Sequence, residues 1–245
     1  MGGPRDDTVA AVCGRFVSST SPAELAAQFG VDDGPAPEAG PRWNVAPTDE
    51  VLAVATSRGV RRLGAFSWGL LPGPHATKRL INLRAETLAE RPAFRRRLER
   101  NRCIVPADGF YEWKRPAGPH GAKVPHFIAA ADQRPLGLAG LWAAVRRDGA
   151  VDGWIRTCTI LTCAPNELVA EVHDRMPVVL APGAWDTWLD DAEDDVGLLS
   201  SILVPAPSDA LTIWPVSPAV NRVANEGPEL VAPVGPPLSS KLSSK

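Results

Sequence analysis

The stretch CIVPADGFYEW, residues 103–113, is aliphatic and aromatic apart from Asp108 and Glu112, and it reads as extended chain. Alternation puts Phe110 and Glu112 on one face and Tyr111 and Trp113 on the other. VPHFIAA (124–130) has the same character, and the turn-rich PAGPHGAK (116–123) lies between them, so the two runs are expected to pair. Outward from this pair the same grammar repeats. VLAVATS (51–57) and RRLGAFSWGLLP (61–72) flank a turn at Arg58-Gly59, and LGLAGLWAAVR, WIRTCTILTCAP and LTIWPVS add further strands. Helical pattern is confined to short pieces. SPAELAAQFG (21–30) has Ser21 as N-cap, Pro22 at the first position, Glu24 three residues on and Gly30 past the end. RAETLAERPAFRRRLERNR (84–102) is broken by Pro92. NELVAEVHDRMPVVL begins helical and ends extended, and APGAWDTWLDD and DDVGLLSSIL are short helices. The expected fold class is α+β: one domain with a mainly antiparallel, barrel-like β core flanked by short helices.

Composition agrees. The 245 residues include 25 Pro and 21 Gly, too many for a helical bundle, and 44% are hydrophobic, enough for a sizeable core. Net charge is −2, so any polyanion site has to be a local patch. No apolar run approaches the ~18 residues that span a bilayer, and the N-terminus carries no secretory pattern. A reducing cytoplasm is the expected location, with free cysteines. Cys158 and Cys163 have no CxxC spacing and no histidine pair nearby, so no metal is expected, and no motif calls for an organic cofactor. Cys103, Cys158 and Cys163 sit in apolar strand patterns and are expected to fill the core.

Five segments carry polar residues that a core does not need: RWNVAPT (42–48), WGLLP (68–72), INLRAET (81–87), CIVPADGFYEW and EVHDRMPVVL (171–180). Glu112 is either an exposed strand glutamate or a buried carboxyl with a raised pKa suited to proton transfer. His173 lies among charged neighbours at a helix-to-strand junction, structural or catalytic on equal terms. Asn82 and Arg84 share one strand face and offer donors to a phosphate or carbonyl, unless that face is merely solvated. Arg91, Arg95, Arg96, Arg97, Arg100 and Arg102 form a dense basic run that reads more readily as a solubilising helix than as a phosphate site.

In order, CGRF, WNVAPT, WGLLP, INLRAET, RCIVPADGFYEW, AGLW, TILT, VHDRMPV and PAVN resemble one family, the SOS response-associated peptidases, or SRAP family. The resemblance runs from Cys13 to about Leu230. It implies a single α+β domain that recognises abasic sites in single-stranded DNA and crosslinks to them through an N-terminal cysteine, as a thiazolidine, in the DNA damage response. A strand-cleaving lyase activity and a self-processing peptidase activity are companions or alternatives. So is non-covalent binding of single-stranded DNA. Carried over by motif, Cys13 is the nucleophile, Asn82 holds the cysteine and the opened sugar, and Glu112 and His173 manage protons. Arg15, Arg84 and Arg175 meet phosphates, and Pro47 and Trp68 meet bases. The expected partner is DNA, the expected state a monomer, the expected place the cytoplasm at the nucleoid.

One position departs from the pattern. A thiazolidine needs a cysteine with a free α-amine, yet twelve residues precede Cys13. Three explanations stand. Translation starts at Val12, whose codon can be GTG. Residues 1–12 are trimmed. Or the leader stays and the chemistry is lost. The first is the expectation. The corresponding boundaries are 1–12 as leader or mis-assigned start, 13–230 as the domain and 231–245 as a disordered tail.

Overall fold

The run at 103–113 is two strands rather than one, and the break at Asp108 sets the architecture. The computed structural model describes residues 13–31, 37–73, 75–116, 121–146, 149 and 153–238. Its elements are β1 (Phe16–Ser18), α1 (Pro22–Gln28), β2 (Arg42–Val45), β3 (Glu50–Ser57), β4 (Val60–Trp68), β5 (Asn82–Arg84), α2 (Pro92–Arg100), β6 (Arg102–Ala107), β7 (Gly109–Lys114) and β8 (Val124–Ala130). There follow β9 (Leu136–Arg146), β10 (Trp154–Cys163), α3 (Glu167–Ala170), β11 (Met176–Pro177), α4 (Trp185–Leu189), α5 (Val196–Ser201) and β12 (Leu211–Pro215).

Before Asp108, β6 joins a barrel; after it, β7 joins a second sheet. The barrel closes in the order β10-β4-β3-β6-β9, with β9 returning to β10. All its pairs are antiparallel except β4 with β10. Past the last β4 contact, β5 takes the same side of β10 in parallel, and β11 pairs with β10 at Thr162 and Cys163. The second sheet is antiparallel, in the order β12-β8-β7-β1-β2. Asp108 fixes the crossing between the two sheets: its carboxylate accepts from the amides and hydroxyls of Ser19 and Thr20, just after β1.

Two-residue alternation decides which side of the second sheet meets the barrel. Phe16, Phe110, Ile128 and Ile213 are in register across four strands and are buried in the main core. Val17, Tyr111, Phe127 and Ala129 point the other way into a second core, where Trp43, Trp113 and Trp214 are partly buried. Each fully buried aromatic or aliphatic side chain contributes roughly 1.5–3 kcal/mol of transfer free energy. Cys103, Cys158 and Cys163 are buried, free core residues.

Local signals behave as their chemistry dictates. Ser21 and Glu24 form a reciprocal capping box on α1. Arg58 and Gly59 have φ of 55° and 73°, as the two-residue hairpin between β3 and β4 requires. Pro92 starts α2 instead of ending a helix, and Ala85–Thr87 before it is a single 3-10 turn. The basic run is mostly structural. Arg102 is buried and donates to the carbonyls of Leu98, Glu99, Trp188, Asp190 and Glu193, while Arg95 pairs with Glu99 and Arg100 with Asp194.

The expected boundary at 230 is corrected. Pro233 bridges to Val216 and Leu238 to Ile213, and the Leu238 amide donates to the Ile213 carbonyl at 2.7 Å. Proline and serine content suggested a tail, but backbone pairing to β12 holds this segment in place. Residues 1–12 and 239–245, to which a leader and the rest of a tail were assigned, lie outside the described residues.

Candidate active site

Cys13, three residues before β1, and Glu112, on β7, come together first. The backbone N–H of Cys13 donates to Glu112 Oε1 at 2.6 Å. Strand pairing dictates this contact. Phe16 is opposite Phe110, the Tyr111 amide donates to the Arg15 carbonyl, and the chain running back from Phe16 passes over Glu112. Glu112 is 2% exposed, which settles the sequence's two readings in favour of a buried carboxyl. Burial pushes it up from 4.5 to about 8, and the nearby charge of Asp174 adds to this. Hydrogen bonds from the backbone at Cys13 and Trp113, with Lys123, pull the other way. At neutral pH the group is mainly a neutral acid beside the Cys13 nitrogen. The Cys13 thiol is itself pushed well above its ordinary value, by burial first and then by Glu112. Cys13 has φ of 47°, a left-handed conformation unfavourable for a residue with a side chain.

His173 approaches from the loop after α3. Lys114, two residues beyond Glu112, pairs with Glu171, two residues before His173, at 3.6 Å. Asp174 and Lys123 act on the ionisation of both Glu112 and His173, so the two groups share one electrostatic environment. His173 Nδ1 lies 3.1 Å from the Arg175 amide and 3.0 Å from Asp174 Oδ1. It can accept from the amide only when Nδ1 carries no proton, and donate to the carboxylate only when it does. Burial lowers the His173 pKa and outweighs Asp174, which favours the neutral ring.

Asn82 is half-buried on β5, and Arg84 beside it is exposed. Their strand sits against β10 and is tied to β1 through Trp68, whose indole N–H donates to the Ile81 carbonyl at 3.0 Å while its ring packs edge-on against Phe16 at 5.1 Å. Trp68 is fully buried, so the expectation that it meets bases is corrected. A strand-end tryptophan reads the same in sequence whether it points out or, as here, into the core. Pro47 is half-buried in the turn between β2 and β3, and that turn is held by the Asp49 carboxylate accepting from the Ala46 amide.

Two of the three expected phosphate ligands are already engaged. Arg15 donates to Asn44 Oδ1 at 2.8 Å and to the Val220 carbonyl at 3.1 Å. Arg175 is bidentate to Glu86 at 2.6 and 2.9 Å and also donates to the carbonyl and hydroxyl of Thr162. In this arrangement Arg175 is paired with Glu86 and braces the site, a contact that needed the position of Glu86 to be seen. Sequence reasoning also passed over Asn44, which is buried and donates to the carbonyls of Val220, Arg222 and Asn225. The available signal was an asparagine inside WNVAPT, flanked by core residues. Among the described residues no group of histidine, cysteine and acidic side chains could hold a metal ion, and no helix is long and apolar enough to cross a membrane.

A five-stranded mixed barrel with a second sheet across it, and a buried acid hydrogen-bonded to a cysteine nitrogen, define a class of α+β proteins with a candidate site at that cysteine. The chain belongs to the SOS response-associated peptidase (SRAP) family, whose model matches residues 12–223. It is 38% identical over 226 residues to the abasic site processing protein YoqW of Bacillus subtilis, covering 90% of this chain and 99% of that one. Identity to the abasic site processing protein YedK of Escherichia coli is 33%, covering 91% and 100%. To the abasic site processing protein HMCES of Xenopus tropicalis it is 31%, covering 74% and 62%. Among solved structures, a Bacteroides thetaiotaomicron protein superposes with a TM-score of 0.77 at 21% identity, covering 90% and 99%, and shares the fold. A phage-related protein of Bordetella bronchiseptica gives 0.65 at 31% identity, covering 83% and 94%.

Proposed function

We propose that this protein processes abasic sites in single-stranded DNA by forming a covalent link through Cys13, in a form of the chain whose first residue is Cys13. The observation that carries this is the 2.6 Å contact between the Cys13 nitrogen and Glu112, a carboxyl held near pKa 8. A peptide nitrogen has no lone pair to give. A free α-amine at the same place would, and its ordinary pKa of about 7.7–8.0 lies close to that of Glu112, so a proton passes between them at little cost. Loss of the preceding peptide bond would also relieve the left-handed strain at Cys13, which costs roughly 1–2 kcal/mol.

The steps balance without a cofactor. The neutral amine adds to the aldehyde of the opened sugar, giving a carbinolamine. Glu112 in its acid form protonates the hydroxyl, which leaves as water, and an imine forms. The Cys13 thiol adds to the imine carbon: a C–S bond forms and the thiol proton ends on nitrogen, closing a five-membered ring. Ring closure is intramolecular and correspondingly favoured. His173, held neutral, is suited to accept the proton of the anomeric hydroxyl as the closed sugar opens, and the imidazolium so formed can give a proton to the departing ring oxygen. Asn82 is assigned to orienting the sugar, Arg84 and Arg15 to phosphates, and Pro47 to the base beside the gap. A thiolate peptidase is disfavoured because burial and Glu112 both raise the Cys13 thiol, where such an enzyme needs it lowered.

The test is intact-mass spectrometry of two chains, one beginning at Cys13 and one retaining residues 1–12, each incubated with a single-stranded oligonucleotide bearing one abasic site. The expected result is an adduct of oligonucleotide less one water, stable to denaturation, on the Cys13 chain alone. No adduct on either chain overturns the proposal.

A further inference from the structure

The arms that carry Asn82 and His173 flank β10 on opposite sides. β5 lies along one side, with Arg84 opposite Thr162, and β11 lies along the other, with Pro177 opposite Thr162. One interaction spans the strand between them. Glu86, two residues after β5, accepts from both ends of the Arg175 fork, and the same guanidinium donates to the carbonyl and hydroxyl of Thr162, on β10 itself. Thr162 donates onward to the Leu83 carbonyl at 3.4 Å. Arg175 also presents its backbone N–H to His173 Nδ1. The fork therefore fixes the residue whose amide meets the histidine, and Glu86 fixes the fork. Bidentate arginine–carboxylate pairs of this kind are geometrically demanding and resist rotation.

The geometry points to Glu86 as a positioning residue for the proposed reaction: through Arg175 it sets His173 relative to the Asn82 arm. This rests on the function proposed above. Glu86 itself touches no reacting group. A carboxylate engaging an arginine could instead stand in for a DNA phosphate that later displaces it. The two assignments differ in what Glu86 removal does. If Glu86 positions His173, its loss slows the reaction at saturating DNA. If it occupies a phosphate seat, its loss tightens DNA binding and leaves the rate alone.

The test uses Glu86→Ala and the isosteric Glu86→Gln in the chain beginning at Cys13, with folding checked by thermal melting. Three quantities are read: the single-turnover crosslinking rate at saturating abasic oligonucleotide, the apparent Kd for that oligonucleotide, and the NMR titration of the His173 ring. Expected for Glu86→Ala are a rate lower by about 10- to 100-fold, as small misplacements of reacting groups produce, with Kd within about twofold. His173 should also titrate closer to the ordinary 6.5, because a loosened loop readmits water to a ring whose value burial had lowered. Glu86→Gln, which keeps one acceptor and the length, should fall between the two. An unchanged rate and unchanged His173 titration overturn the proposal. So does a rate that holds while Kd tightens or weakens, since Arg175 would then act through the DNA. The titration needs no reaction, so if even the unsubstituted chain fails to crosslink, a shifted or unshifted ring still decides this proposal apart from the other.

Discussion

Glu112 concentrates the electrostatics of the site in one side chain. Its acid form is retained on folding between its ordinary 4.5 and about 8, whereas the unfolded chain releases that proton near 4.5. The native state thus binds more protons than the unfolded one across that window, and stability falls as pH rises through it, by up to about 1.4 kcal/mol per pH unit. Below 4.5 the contribution is fully present; above about 8 it is gone. Glu112→Gln cannot titrate. Urea unfolding at pH 5 and pH 8 should therefore show a steeper loss for the natural residue than for the amide. Equal slopes would mean that Glu112 is not held protonated. The carboxyl's alternatives were visible in GFYEW, since alternation puts it with Phe110. What alternation could not say is which face meets the barrel.

At the scale of elements, Trp68 is the clearest case of a residue whose meaning depends on its neighbours. It closes β4, packs on Phe16 of β1 and donates to the carbonyl just before β5, joining three strands that are distant in sequence. Trp68→Ala should cost about 3–5 kcal/mol in urea denaturation, as for other large-to-small changes in a packed core, with the proposed crosslinking lost in proportion to folding. A change under about 1 kcal/mol with a large loss of DNA affinity would restore the surface assignment made from sequence. Arg102 teaches the same lesson with opposite polarity. Its basic neighbours suggested solvent, yet it clamps five carbonyls where α2, β6 and the segment after α4 meet.

For the whole molecule, the chain's end matters. Residues 232–238 add backbone bonds to β12 through Val234 and Leu238. At about 1 kcal/mol net per hydrogen bond, plus the apolar contact of Leu238 with the core, truncation after Val231 should lower stability by about 2–3 kcal/mol. For a chain of this size the melting temperature would fall by about 4–12 °C. Calorimetry showing no shift would return the segment to the status of a tail.

By itself the sequence determined what is local or periodic. The capping box at Ser21, the hairpin turn at Arg58-Gly59, the alternation in GFYEW and the order of nine motifs are written within a few residues or in residue type. From these came the strands, the fold class and the family, and through the family resemblance the roles proposed for Cys13, Glu112 and His173. Only the tertiary structure decided what depends on contacts between distant segments: that 103–113 divides at Asp108 between a barrel and a second sheet, that Trp68 faces inward, that Arg175 is bound to Glu86, and that Leu238 pairs with β12. Burial and charge pairing are properties of three-dimensional neighbours. Strand periodicity gives two faces but not their occupants, and an arginine looks alike in sequence whether it meets water, a phosphate or a carboxylate 89 residues away.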